Sequence, residues 1–543
     1  MAELILGPLL RYVDEHDATV WVETDGPCEV EVLGRRARTF HVTGHHYGLV
    51  MVEGLAPGES VEYAVALDGR CCWPDPAAAM PASRMAPLHP ERALRISFGS
   101  CRVAAPHQAP WIRERREDAE GRGVDALAAL AHRMAGQGPD QWPSLLLMIG
   151  DQVYADDASP ETRAFIRGRR STDRPPGEEV ADFQEYCRLY RESWTDPWIR
   201  WLLSTVPSAM IFDDHEVVDD WNISISWKRE MAREPWWPDR IAGALAAYWI
   251  YQHIGNLSPA ELRADPLYSA VCAADDAGPL LREFALDADR TSAGTRWSYS
   301  RRLGSAQLVV IDSRAGRLLS DGRRDMVDDE EWQWVDQRLR GDVDHLLIVT
   351  SLPYLLPRSI HDLEAWDEAL CAGAWGKRAS ALAERLRRAV DLEHWAAFRS
   401  SFERMAYALR EVALGERGRP PASIVLLSGD VHYAYLAEAH FPGHPARTRL
   451  YQAVCSPFRH GLGPAMEQAN RLSFSRFMAR TSSLLARLAR VPEPPLDWEM
   501  KHGPFFENEV ATLDLHGSEA LIRLERTPAR QMRLECVDET RLT

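Results

Sequence analysis

Apolar and polar residues divide the chain into two textures. Up to about residue 70 they alternate with period two in short stretches: ATVWVET from Ala18, CEVEVLG from Cys28, RTFHVTG from Arg38 and YGLVMVEGL from Tyr47. With turn residues between them, such stretches predict strands with one covered face. The pattern is lost in WPDPAAAMPASRMAPLHP, residues 73–90, whose prolines and alanines read as a linker. From residue 94 the runs become continuously apolar: LRISFGS, SLLLMIGD, SAMIFDD, AQLVVIDSR, HLLIVTSLP and SIVLLSGD. Such runs suit strands buried on both faces of an α/β core, and helical periodicity fills the gaps, in DALAALAHRMAGQ and across 362–415. Residues at about 225–290 interrupt the alternation as a helical insertion rich in Trp and Ala, and NEVATLDLHG and EALIRLERT are expected to close a second sheet. The expected organisation is a small all-β sandwich over 1–88, followed by an α/β domain over 89–543.

Length and composition agree with two domains. At 543 residues the chain exceeds one simple core, and 45% hydrophobic with 26% charged residues is ordinary for a globular protein. The net charge of −17 disfavours nucleic acid and anionic membrane as partners. The nine cysteines are odd in number and irregularly spaced, which argues against a disulfide framework. MAELILGPLLRYVDEHD has no basic leader region, and no stretch approaches the roughly 20 apolar residues of a membrane span. The expectation is a reduced, cytoplasmic protein without membrane insertion; the oligomeric state is not set by these features.

Chemistry concentrates where the runs stop. Five of the six end in Cys101, Asp151, Asp213-Asp214-His215-Glu216, Asp312 and Asp430-x-His432. A single aspartate could mark where a strand meets water. Five such ends, with two histidines and with Tyr154 three residues after Asp151, point to metal binding at the carboxyl ends of strands. Carboxylates suit hard cations, while imidazole and thiolate recruit transition metals. Gly150 would let the chain turn sharply and aim Asp151 at an ion. Two such strands would let one carboxylate bridge two ions about 3.5–4 Å apart. Arg102, Arg314 and Arg317 are candidates for phosphate contact, because a guanidinium matches phosphate oxygens bidentately. Asn222, close behind Glu216, is a further candidate substrate contact.

The ordered series SFGSCR, GDQVYADD, DDHEVVDDWN, IDSRAGR and GDVHYA resembles the alkaline phosphatase D (PhoD-like) branch of the calcineurin-like metallophosphoesterases, over roughly residues 94–435. GLAPGESVEYAVALDG likewise resembles the late strands of a fibronectin type III-like sandwich. The resemblance implies a metallophosphoesterase-type β-sandwich, two mixed sheets flanked by helices. It implies Cys101, Asp151, Tyr154, Asp214, Asp430 and His432 as metal ligands, with Asp151 bridging. His215 would stabilise charge or protonate the leaving group.

Sorted by softness, Cys101, Tyr154, His432 and Asp151 favour a strongly Lewis-acidic transition ion, Fe(III) first. The oxygen-only set Asp151, Asp214 and Asp430 suits Ca²⁺, with Mn or Mg possible there; for the pair as a whole Mn, Mg or Zn are the alternatives. An iron–calcium pair agrees with relatives of this type. The expected activity is hydrolysis of a small phosphate ester, mono or di, by a metal-bound hydroxide. A phospholipase D-like phosphodiesterase and a non-catalytic binding protein with a degenerate phosphatase domain are the alternatives.

Overall fold

The computed structural model describes residues 1–75, 80–292, 294–320 and 322–543. Residues 76–79 of the expected linker therefore lie outside the described residues. Part of the remainder is strand: Arg84–Met85 pairs antiparallel with Val61–Glu62. Among the described residues no helix is long and apolar enough to cross a membrane.

The N-terminal alternation resolves into two four-stranded antiparallel sheets. Strand Asp17–Thr24 shows why two faces are needed. Ala18, Val20 and Val22 point into the region's own small core with Val30, Val50 and Val65. Trp21 and Glu23 point the other way, and Trp21 joins Leu9, Tyr47 and Tyr251 in the main core of the molecule. The period-two pattern therefore covers both faces, one with its own sheet and one with the α/β region.

The continuous runs form the central strands of two larger sheets. In the first, Ser208–Ile211, Leu145–Ile149 and Leu94–Gly99 run parallel, and Leu94–Gly99 pairs antiparallel with Glu509–His516. In the second, Ala306–Ile311, His345–Thr350, Ser423–Ser428 and Arg449–Val454 run parallel within a seven-stranded sheet. Leu308, Val310, Leu347, Val349, Val425 and Leu427 face the first sheet in the main core. The intervening Val309, Ile311, Leu346, Ile348, Ile424 and Leu426 face the outer helices. Both faces of each strand are buried, so these runs show no polar alternation. This is the mixed two-sheet sandwich flanked by helices, preceded by an all-β region, that the sequence leads one to expect.

Helices Ile225–Met231, Trp237–Tyr251, Pro259–Ala264, Pro266–Ala273 and Gly278–Arg290 occupy the Trp- and Ala-rich stretch. Trp237–Tyr251 is buried almost throughout and carries Tyr251 to the N-terminal sheet. There the fully buried Glu23 accepts from Arg191 Nη2 at 2.7 Å and from the Tyr251 hydroxyl at 3.1 Å, with His45 Nδ1 at 3.2 Å. Glu23→Ala leaves these donors unpaired. It is expected to lower unfolding free energy by about 3–5 kcal/mol, with Glu23→Gln milder, as measured by urea denaturation.

Candidate metal centre

The loops that leave the parallel strands at their carboxyl ends meet at one edge of the sandwich. Cys101 follows Leu94–Gly99, Asp151 follows Leu145–Ile149, Asp213 and Asp214 follow Ser208–Ile211, and Asp430 and His432 follow Ser423–Ser428. The backbone there is forced. Cys101, Asp151, Asp430 and His432 have φ of 56°, 55°, 68° and 58°. Each such non-glycine residue costs about 1–3 kcal/mol, and this strain collects at functional sites. Gly150 also has positive φ, and a Cβ there would stand 2.6 Å from Asp213 Cβ. Its glycine is what allows the two acidic loops to close on each other.

Glu216 binds those loops together. Its buried carboxylate accepts the backbone N–H groups of Asp151 at 3.0 Å, Gln152 at 2.7 Å and Asp213 at 2.8 Å, and Gln252 Nε2 at 3.0 Å. Burial pushes its pKa up to about 7 against these stabilising hydrogen bonds.

Three groups of donor atoms result, each with all its atoms within 4.8 Å of one another: Cys101 with Asp151 and His432, Asp151 with Asp214 and His215, and Asp213 with Asp214 and Asp430. Asp151 Oδ2 lies 3.3 Å from Cys101 Sγ and 3.4 Å from the Tyr154 hydroxyl. The soft set expected from the sequence is thus gathered. Asp151, Asp214 and Asp430 do not form one such group among the described residues. Asp214 is instead shared between Asp151 on one side and Asp430 on the other.

Arg314 lies beside that second pair. Its Nη2 is 3.4 Å from both Asp214 Oδ2 and Asp430 Oδ1, Nη1 is 2.5 Å from Glu393, and Nε pairs with Asp213. It is fully buried and engaged by four carboxylates, so the expectation of an arginine presented to phosphate is corrected: it balances the acids from behind. Arg102 is likewise turned inward, with Nη2 2.8 Å from Asp125 and Nη1 donating to the Ser193 carbonyl at 2.8 Å. Arg317 is held by Glu393, and Asn222 is buried with its amide donating to the Arg314 carbonyl at 3.3 Å. None of these four reaches solvent, because each supports a strand-end loop from within.

The donor set fits metal cations. Asp151 Oδ1 is buried without a hydrogen-bond partner. Four carboxylates, Asp213, Asp214, Glu393 and Asp430, crowd the Arg314 guanidinium, with Arg317 also on Glu393 and His394 on Asp430, while Asp151 has no cationic side chain paired to it among the described residues. Burial and the neighbouring carboxylates push the Cys101 thiol well up, and burial with Cys101 and Asp151 does the same to the Tyr154 phenol. A cation inverts that local logic and favours the ionised ligands. Burial and the charge of His215 hold His432 down to about 4, leaving a neutral imidazole with a lone pair to donate.

His215 is set for a different task. Its Nδ1 faces the Asp156 carboxylate at 2.8 and 3.0 Å, and its ring packs 4.6 Å from Tyr154. Burial opposes the imidazolium, but Asp156, Asp214 and Asp151 outweigh it and hold the pKa well above the usual value.

Several members of the site escape sequence reasoning. Asp156 and Glu216 lie inside the motifs already singled out, where their acidic side chains were the available signal. His394 lies outside them: Nε2 is 3.1 Å from Asp430 Oδ2 and Nδ1 2.7 Å from Glu364. Burial raises the Asp430 carboxyl, yet His394 and Arg314 together hold it below the ordinary range. His460 packs its ring 4.6 Å from His432 and 4.8 Å from Tyr154. No periodicity or spacing links these histidines to the motifs; the chain path alone brings them in.

A family model for PhoD-like phosphatases matches residues 128–458, well over half of the chain. The chain belongs to the PhoD-like phosphatase family. A domain of unknown function (DUF7800) matches residues 1–85. Among solved structures, one of PhoD aligns with TM-score 0.60 and 12% identity over 99% of this chain and 92% of its own. A purple acid phosphatase, PPD1 from yellow lupin (Lupinus luteus) seeds, aligns with TM-score 0.50 and 10% identity, over 97% and 73%. At those identities the likeness shows the shared fold. No curated protein sequence matches significantly. As a PhoD-like phosphatase the chain is a metal-dependent phosphoester hydrolase.

Because Glu216 alone accepts three backbone donors and an amide, Glu216→Ala is expected to destabilise this PhoD-like phosphatase by about 3 kcal/mol or more, at about 1–3 kcal/mol per stranded donor. Thermal unfolding should show it, with Glu216→Gln retaining part of the loss.

Proposed function

We propose that the chain hydrolyses a small phosphate ester at two cations. Cys101, Asp151, Tyr154 and His432 would hold an Fe(III), and Asp151, Asp214 and Asp430 a Ca²⁺, with Asp151 bridging. The observation that carries this reading is the convergence of thiol, phenol and imidazole on the Asp151 carboxylate, beside the acidic group of Asp213, Asp214 and Asp430. When bound, the pair would supply Lewis acidity, drawing a hydroxide nucleophile from water at neutral pH and offsetting charge on the phosphoryl oxygens.

The chain's own groups complete the chemistry. Asp156 fixes the tautomer and tilt of His215 and leaves Nε2 to carry a proton toward the leaving oxygen. Asp156, Asp214 and Asp151 favour the protonated ring against the cost of burial. Glu364 and His394 orient Asp430 in the way that partners of metal ligands do. Arg314 offsets repulsion among the acids while touching no solvent. Residues 1–88 are assigned as a fibronectin III-like sandwich and 89–543 as the catalytic domain, and we place the enzyme in the cytoplasm, where Cys101 remains a thiol.

Metal analysis of freshly purified protein is expected to give iron and calcium; zinc alone would overturn that assignment. Asp151→Asn should lose metal and activity together. His215→Asn should retain metal while kcat falls about 10²–10⁴-fold, the usual contribution of a general acid. Turnover of p-nitrophenyl phosphate against its bis ester separates monoesterase from diesterase action. No turnover of either, with iron and calcium supplied, would sink the proposal.

A further inference from the structure

Four helices form a cap beside the site: Arg358–Cys371, Lys377–Ala389, Pro464–Ser473 and Arg476–Leu488. Arg358–Cys371, Lys377–Ala389 and the residue that ends Arg476–Leu488 meet in one small buried cluster of Leu370, Ala383 and Ala489. The last helix is oriented against the usual rule. Its buried positions are Ser482 and Ala486, while Phe477, Thr481, Leu484 and Leu488 follow one another at helical spacing on the outside. Phe477 is 75% exposed. Met466 and Leu472 are likewise exposed on the preceding helix, as is Leu382, 68% exposed, on Lys377–Ala389. Among the described residues twelve large apolar side chains are exposed, and eight of them belong to this cap or to the residues flanking its helices. Such concentration marks an interaction surface rather than scattered surface hydrophobes.

The charge of the same surface identifies what covers it. The whole chain carries −17, yet no acidic residue occurs between Glu467 and Glu493, a segment with five arginines. Arg476 and Arg480 flank Phe477, and Arg487 flanks Leu488. Among the described residues Arg476, Arg480 and Arg490, and on Lys377–Ala389 also Lys377, Arg378 and Arg385, have no carboxylate partner. A second copy would set these cations against themselves across a two-fold axis. A bilayer with anionic headgroups meets both halves of the pattern: the arginines reach phosphates, and the interleaved Phe and Leu enter the acyl boundary.

We propose that this cap is an interfacial docking surface for anionic lipid bilayers. It lies over the metal centre's flank. Glu364 of Arg358–Cys371 holds His394 against Asp430, and Phe474, between the last two helices, packs 5.7 Å from Tyr433, the neighbour of His432. Docking would therefore hold the phosphoesterase with its site beside the membrane surface without any segment crossing it. The docking goes beyond hydrolysis and does not depend on it.

Flotation of the full chain with vesicles tests this, comparing phosphatidylcholine alone with phosphatidylcholine containing phosphatidylglycerol. Recovery on the anionic vesicles is expected to exceed that on neutral ones by about tenfold, to fall with added salt, and to drop about tenfold in Arg476→Glu/Arg480→Glu and in Phe477→Ser/Leu484→Ser. These side chains are exposed, so both variants should keep the far-UV spectrum and the turnover of soluble p-nitrophenyl phosphate, which reads catalysis separately from docking. Equal recovery on both vesicle types, no flotation at all, or a dimer by light scattering that Phe477→Ser/Leu484→Ser dissociates would each overturn the inference.

Discussion

One buried carboxylate holds the catalytic edge of this molecule together. Glu216 takes the backbone N–H groups of two loops that arise from different strands and would otherwise repel each other through Asp151 and Asp213. Hydrogen bonds to the main chain are indifferent to the side chains' charge, so they can hold acids together where ion pairing could not do so alone. With the loops locked, the left-handed conformations of Cys101, Asp151, Asp430 and His432 become sustainable, since the surrounding structure over-determines them.

The electrostatics follow from that enforced proximity. Burial raises the cost of charge on Asp151, Asp213 and Asp214, and Arg314 offsets part of it at Asp213 and Asp214. The arginine is consequently a structural counter-ion, fully buried, and not a solvent-facing hand for substrate. A centre arranged this way is poised toward cations: the same field that disfavours ionised thiol and phenol becomes favourable once positive charge is introduced.

Around this centre the molecule is layered. The N-terminal sheet spends one face on its own core and lends the other, through Trp21 and Glu23, to the helix that carries Tyr251 and Gln252. Gln252 in turn donates to Glu216, so contact with the N-terminal region and order at the metal centre share one helix end. The cap helices turn exposed apolar residues outward while Glu364 holds His394 and Phe474 packs on Tyr433.

The sequence alone determined the strands and the chemistry at their ends. Continuous apolar runs stopping in Cys, Asp and His are local signals, because a strand buried on both faces is mostly apolar until it surfaces. That Cys101, Asp151, Tyr154 and His432 belong together was implied by the ordered motifs and their resemblance to PhoD-like enzymes, not by the runs themselves. What tertiary structure decided was direction and partnership. Arg102, Arg314 and Asn222 lie in motifs suited to phosphate, yet packing turned each inward. His394 and His460 reach the site through loops distant in the chain, and nothing in their neighbours' spacing encodes that meeting. The outward face of Arg476–Leu488 was likewise invisible in the pattern: helical periodicity reports that a stripe exists, while only the packing of the neighbouring helix determines whether it faces the core or the solvent.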